Sequence, residues 1–238
     1  MGDYMDILLE VDISDSGYEF GDPKVKDVSL AIRPGKLTGL IGANGAGKST
    51  VLKTILGIMP YAEASIRFKA GYEQYAYIPE HPVFYENLTL WEHLDLAAAV
   101  YGMGQHELEL EGERLLDRFR MTEARHHLPG GFSKGMRQKM MLMIGFLSRP
   151  DIYIVDEPFI GLDPRAIKDF LSLLEEERQR GAGILMSTHV LDTAERICDD
   201  FVLISQGRIA AQGTLEEIRS TAAMPEASLF DCFDRLAD

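Results

Sequence analysis

The sequence predicts an α/β fold, with a mainly parallel sheet covered by helices. Apolar runs suited to buried strands recur at Leu37–Ile41, Ile152–Val155, Gly183–Ser187 and Phe201–Ile204. Helix-length segments separate them, and alternation of this kind predicts parallel strands with helices on both faces. A glycine-rich loop joins the first of those runs to a helix. With 238 residues, 46% of them hydrophobic, the chain has enough apolar material for a sizeable core.

Residues 6–41 alternate apolar runs with turn signals at Asp15-Ser16-Gly17, Gly21-Asp22-Pro23 and Arg33-Pro34-Gly35, and are expected to form β-strands. The loop that follows is Gly42-Ala43-Asn44-Gly45-Ala46-Gly47-Lys48-Ser49-Thr50, which is G-x-x-x-x-G-K-[ST] in full. Such a loop wraps phosphates in backbone N–H groups, and the next helix turns its positive end to the anion. Lys48 is expected to reach the β- and γ-phosphates, and the Ser49 hydroxyl to ligate Mg²⁺. The apolar strand before the loop and the helix Thr50–Leu56 after it are the context this motif requires. A glycine-rich turn with a chance lysine would not need both flanks.

Residues 66–78 are expected to be strand-like, ending at Tyr77-Ile78-Pro79. From Thr89 to Arg149 the pattern turns helical: Leu90, Leu94 and Ala97-Ala98 share one face, and Leu115, Leu116 and Phe119 mark a second helix. Pro129-Gly130-Gly131 precedes a third helix beginning near Ser133, on which Met136, Met140 and Met143 recur at helical spacing and are expected to serve packing. Pro164–Arg180 is expected to be a helix with a charged face. Its start, Asp163 before Pro164, is a good N-cap with proline at the first position.

Ile152–Val155 runs into Asp156-Glu157. An aspartate at a strand's C-terminal end beside a phosphate loop suits Mg²⁺, and Glu157 is a candidate general base. A lone acidic turn would be unremarked; the pair with a phosphate loop is not.

The formal net charge of −14 argues against nonspecific nucleic-acid binding. Cys198 and Cys232 lack metal-ligand spacing and are expected to be reduced thiols. The acidic Met1–Asp6 segment has no signal-peptide pattern, and the longest apolar run, Met140–Leu147, is too short to span a bilayer. A soluble chain, reaching a membrane only through a partner, is expected. His93 and His126-His127 match no metal spacing and are expected at the surface.

Phe132-Ser133-Lys134-Gly135-Met136 lies about twenty residues before the Asp156 strand. With the loop and the acidic pair, it makes the chain resemble the ATP-binding subunit of ABC transporters, whose signature is LSGGQ at a helix start. The likeness covers roughly residues 6–220. It implies a P-loop NTPase core with an antiparallel β subdomain and an inserted helical subdomain. The organisation implied is one ABC ATPase domain over 1–222, with 86–150 as the helical insertion and 223–238 as a tail helix.

The resemblance also implies roles. Tyr18, 24 residues before Gly42, would stack on adenine, though a core strand aromatic is the alternative. Gly42, Asn44, Gly45, Ala46, Gly47, Lys48, Ser49 and Thr50 would hold the phosphates. Ser133 and Gly135 would close over ATP held by a second chain, a copy of the first, in a head-to-tail dimer. Gly161-Leu162-Asp163-Pro164 resembles the D-loop, which places Asp163 at the nucleotide. His189, in Ser187-Thr188-His189, would bond the γ-phosphate. Glu80 stands where the family has glutamine and would join Ser49 and Asp156 at Mg²⁺. Lys134 and Met136 replace a glycine and the glutamine of the signature; Lys134 is expected to offset part of the charge of Glu80.

Within the family, the Ile-Pro-Glu and Phe-Ser-Lys-Gly-Met segments are similar to those of Ecs-type exporter ATPases. That likeness implies a separate integral-membrane subunit and a place on the cytoplasmic face of the cell membrane. Phe84, Tyr85, Leu88 and Trp91 would meet that subunit, unless they are plain core. The tail Ser228–Leu236 resembles the ending of exporter ATPases and suits a short amphipathic helix; docking on its own domain is the alternative. A soluble ABC-type ATPase of translation or DNA repair is a competing reading, disfavoured by a single cassette and no heptad run. A guanine-specific Asn-Lys-x-Asp motif is absent.

Overall fold

In the computed structural model, residues 7–72 and 74–237 are described. The acidic Met1–Asp6 segment lies outside them. Strands β1 (Leu9–Glu19) and β2 (Asp22–Ile32) form an antiparallel pair, and β4 (Tyr61–Phe68) joins the free edge of β1. The order of this sheet is β2-β1-β4. The second sheet has the order β5-β6-β7-β3-β8-β9, built from β3 (Leu37–Ile41), β5 (Tyr75–Ile78), β6 (Ile152–Asp156), β7 (Gly183–Thr188), β8 (Asp200–Ser205) and β9 (Arg208–Gly213). All its pairings are parallel except β8 with β9.

Every residue of β3, β6 and β7 is buried, as continuous apolar runs in a two-sided sheet require. Helix α1 (Lys48–Ile55) leaves the end of β3 through the glycine loop. Helices α2 (Leu90–Tyr101), α3 (Gln105–Phe119) and α4 (Lys134–Leu147) form the block between β5 and β6. Leu90, Leu94, Leu115, Leu116, Phe119, Met140 and Met143 close its core without exposure. Thr89 starts α2 with a capping box to Glu92. Helix α5 (Pro164–Arg180) begins at Asp163, whose carboxylate accepts from Arg165 and Ala166 N–H at 3.0 and 2.9 Å. Helices α6 (Leu191–Ile197), α7 (Leu215–Ala222) and α8 (Leu229–Ala237) complete the described chain. None of the described helices is long and apolar enough to cross a membrane.

Three expectations need correction. No turn interrupts β1 at Asp15-Ser16-Gly17; the strand passes through with bulges, since β2 and β4 pair with it on both sides. The 66–78 segment is not one strand: β4 begins at Tyr61 and β5 belongs to the other sheet. His93 is buried at 4% exposure, with Nε2 accepting from Tyr85 N–H at 2.9 Å and Nδ1 2.8 Å from the Thr89 carbonyl. It joins the chain before α2 to the helix, while His126 and His127 are exposed. Strand β9 and helix α7 have no counterpart in the sequence reading. Both cysteines are free thiols, and burial raises the pKa of each.

Candidate functional site

The glycine loop turns at the end of β3, where the parallel strands all present their C-terminal ends. Gly45 and Gly47 have φ of 82° and 114°, backbone that a side chain would strain. Gly47 is the N-cap of α1. Gly42 has a different reason: a Cβ there would stand 2.5 Å from the Ile204 carbonyl oxygen.

A cavity of about 460 Å³ opens in front of this loop. Asn44, Gly45, Gly47, Lys48, Ser49 and Thr50 line it, together with Tyr18, Lys24, Glu80, Glu157, Ile160 and His189. Lys48 is buried, and its Nζ donates to the Gly42 carbonyl at 2.8 Å and the Ala43 carbonyl at 3.4 Å. The loop thus holds its own cation facing the cavity. Tyr18 stands half exposed at the mouth, 5.6 Å below Lys53 Nζ and accepting from it at 3.4 Å. It is a surface aromatic, not core, as stacking on a flat ligand requires.

The acidic pair is set by the neighbouring strand. Asp156 stands opposite Ser187 in the β6–β7 register, and the Ser187 hydroxyl donates to Asp156 Oδ1. Glu157 has a left-handed backbone, φ 45°. Its N–H is held by both the Ser187 carbonyl, at 3.2 Å, and Ser187 Oγ, at 3.1 Å. That twist aims Glu157 away from Asp156 and into the cavity. Glu157 Oε1 lies 2.9 Å from His189 Nδ1 and 3.4 Å from Lys48 Nζ. Oε1 is buried and accepts no hydrogen bond within the chain, so it is an acceptor with unspent capacity.

Burial pushes the Asp156 carboxyl above its ordinary value; the Ser187 hydroxyl opposes this, Glu80 and Glu157 add to it, and Ser49 opposes it. Ser49, Asp156 and Glu80 offer hard oxygen donors, which suit Mg²⁺. No group of three or more His, Cys, Asp or Glu among the described residues would hold an ion unaided. A cation here needs phosphate oxygens as further ligands, which is the usual manner of Mg²⁺ sites.

Ser133, Gly135 and Asp163 do not line this cavity. Ser133 caps α4, its Oγ accepting from Met136 N–H at 3.2 Å. A Cβ on Gly135 would meet the Gly161 carbonyl oxygen at 2.9 Å, so the signature-like turn and the D-loop-like turn are packed together. Asp163 Oδ2 also pairs with Lys139 on α4 at 3.1 Å. The stem of Lys134 runs across Gly161, away from the cavity that Glu80 lines. Ser187 and Lys24 were not foreseen as site residues; Ser187 follows only from strand register, and Lys24 only from the approach of β2 to Gly47.

The family pattern described as ABC transporter matches residues 25–160. An uncharacterized ABC transporter ATP-binding protein of Bacillus subtilis (strain 168), YthP, is 50% identical over 226 residues, covering 95% of each chain. The ABC-type transporter ATP-binding protein EcsA of the same organism is 45% identical over 235 residues, again covering 95% of each. A solved structure described as the ATP binding subunit of an ABC transporter superposes with a TM-score of 0.92 at 45% identity, over 97% of this chain and all of that one. Taken with a phosphate loop, a strand-end glutamate and a histidine converging on one cavity, these likenesses establish that the chain belongs to the ABC transporter ATP-binding proteins, a family of ATPases.

Proposed function

We propose that this chain is the ATP-hydrolysing subunit of an exporter, working as a head-to-tail pair beneath a separate membrane subunit. The observation that carries the reading is the meeting of Lys48, Glu157 and His189 at one cavity wall. The loop 42–50 binds the triphosphate through backbone N–H groups, with Lys48 on the β- and γ-phosphates and Tyr18 on the adenine. Mg²⁺, held by Ser49, Asp156 and Glu80, would draw charge from the phosphoryl oxygens. Glu157 orients and deprotonates water in line with the γ-phosphate, and His189 steadies the developing charge.

Ser133 is exposed at the N-cap of α4, with Gly135 partly buried in the first turn against Gly161, and a serine-capped helix end suits an anion held by a partner. Asp163, paired with Lys139 of α4, completes the partner's site in this reading. The position of Tyr85, 64% exposed beside the partly buried Phe84 and Trp91, supports this region as the membrane-subunit contact. Likeness to a subunit of an ABC transporter and to EcsA supports the same arrangement.

Affinity purification of the native protein from detergent-extracted membranes tests the reading. A multi-span membrane protein should copurify, with ATP-dependent dimers seen by light scattering. Ribosomes in its place, or full hydrolysis by strictly monomeric protein, would overturn it.

A further inference from the structure

The steps above make no use of the tail helix α8. It opens with a capping box of its own: Asp231 N–H donates to Ser228 Oγ at 3.1 Å, and Ser228 N–H to Asp231 Oδ2 at 3.3 Å. A further acceptor arrives from another element, since Leu229 N–H donates to Glu195 Oε2 at 2.8 Å. Glu195 belongs to α6, which starts two residues after His189. Arg219 of α7 braces the joint, donating to the Ala227 carbonyl at 2.7 Å and standing 3.7 Å from Glu195 Oε1.

Beneath this joint, Leu229 and Cys232 are fully buried in one cluster with Ala194 of α6 and Ile41, the residue before Gly42. At the far end, Ser205 Oγ donates to the Ala237 carbonyl at 3.0 Å. There Phe233 and Ala237 face the outer side of Ala43–Ala46 across a cleft of about 360 Å³. One helix therefore packs on the helix that carries on from His189 and on the strand end before the phosphate loop, and faces that loop across the cleft.

Helix α6 has seven residues and no side-chain cap at Val190. A helix so short has little stability of its own, so its direction follows what it is packed on. We infer that α8, through Glu195, is a positioning element that sets α6, and with it His189, relative to the phosphate loop. Glu195 touches no substrate; it acts through His189. The inference rests on the reading of His189 as a group at the γ-phosphate.

The test compares Glu195→Ala, which leaves Leu229 N–H without its acceptor, with Glu195→Gln, which keeps an oxygen at the same reach. In nucleotide-free protein, the His189 ring signals in carbon–proton NMR spectra should shift in Glu195→Ala and return toward the parent in Glu195→Gln. With ATP, kcat should fall about tenfold in Glu195→Ala while KM stays within about twofold, as expected of a misplaced reacting group. Glu195→Gln should recover most of the loss.

A lower melting temperature with parent-like His189 signals would make α8 a structural brace only and overturn the inference. So would parent-like kcat in Glu195→Ala, whatever the spectra show. Should Glu195→Ala fail to fold, Arg219→Gln loosens the same joint; unmoved His189 signals there would be equally fatal. Failure of the functional reading looks different: the parent itself would not hydrolyse ATP, or His189→Gln would turn over at the parent rate.

Discussion

Lys48 Nζ stands 3.4 Å from Glu157 Oε1, with the two side chains only 7% and 8% exposed. The cation proposed for phosphate and the carboxylate proposed for water are thus each other's neighbours at the cavity wall. Phosphate entering the loop competes with Glu157 for Lys48. Replacing Glu157 by glutamine removes the competing charge and the base together. In Glu157→Gln the Kd for ATP should be no weaker than in the parent, while phosphate release falls at least about 100-fold. Calorimetry and a phosphate-release assay read the two effects separately; near-parent turnover would remove Glu157 as the base.

Lys48→Ala takes away the other half of the pair. Backbone N–H groups of the loop remain, but the point charge on the β- and γ-phosphates is gone. ATP affinity should fall at least about tenfold, equivalent to about 1.4 kcal/mol. Calorimetry returning parent affinity would contradict the phosphate role.

Gly42 is confined by space rather than by dihedral angle. An added Cβ would lie 2.5 Å from the Ile204 carbonyl oxygen and 3.0 Å from Ala46 Cβ. Backbone cannot yield as a flexible side chain does, so Gly42→Ala should cost about 1–3 kcal/mol in urea unfolding. It should weaken ATP binding as well, because β8 and the loop must separate to admit the methyl group.

Asp163 accepts two backbone N–H groups at the start of α5, and the Ala166 N–H bond and Lys139 hold its carboxyl below the ordinary carboxylate range. A carboxyl whose pKa is lowered on folding contributes stability above its unfolded value, about 3.9. That contribution is lost as pH falls through the lower folded value. Asp163→Ala should cost about 1 kcal/mol at pH 7. The difference from the parent should begin to shrink in unfolding experiments below about pH 3.9, where the unfolded chain takes up the proton, and should be smallest once pH has passed below the lowered folded value, where the cap itself is neutralised.

Lys134 and Glu80 share no contact within the chain, since Lys134 lies over Gly161 and Glu80 lines the cavity. If Lys134 offsets the Glu80 charge, it does so across a dimer. Glu80→Gln, Lys134→Gly and the double variant should then be non-additive in kcat under dimer-forming ATP concentrations. Additive effects would separate the two residues.

Local pattern determined a good deal of this protein. The phosphate loop, its strand and its helix are consecutive residues whose geometry is dictated by glycine dihedrals and by capping, so they are legible in sequence. Asp163-Pro164 announced α5 for the same reason, and the apolar runs announced β3, β6 and β7. The Asp15-Ser16-Gly17 turn signal misled because β2 and β4 pair with β1 on both sides, and ladder hydrogen bonds outweigh local turn preference. His93 misled because a lone histidine gives no sign that Tyr85 N–H and the Thr89 carbonyl will enclose it. Tertiary structure alone decided the active geometry. Ser187 meets Asp156 and Glu157, and His189 reaches Glu157, because β6 and β7 are neighbours in register, though 31 residues separate Asp156 from Ser187. Contacts across a sheet depend on strand order and stagger, which arise from how the whole core packs and leave no mark in either segment read by itself.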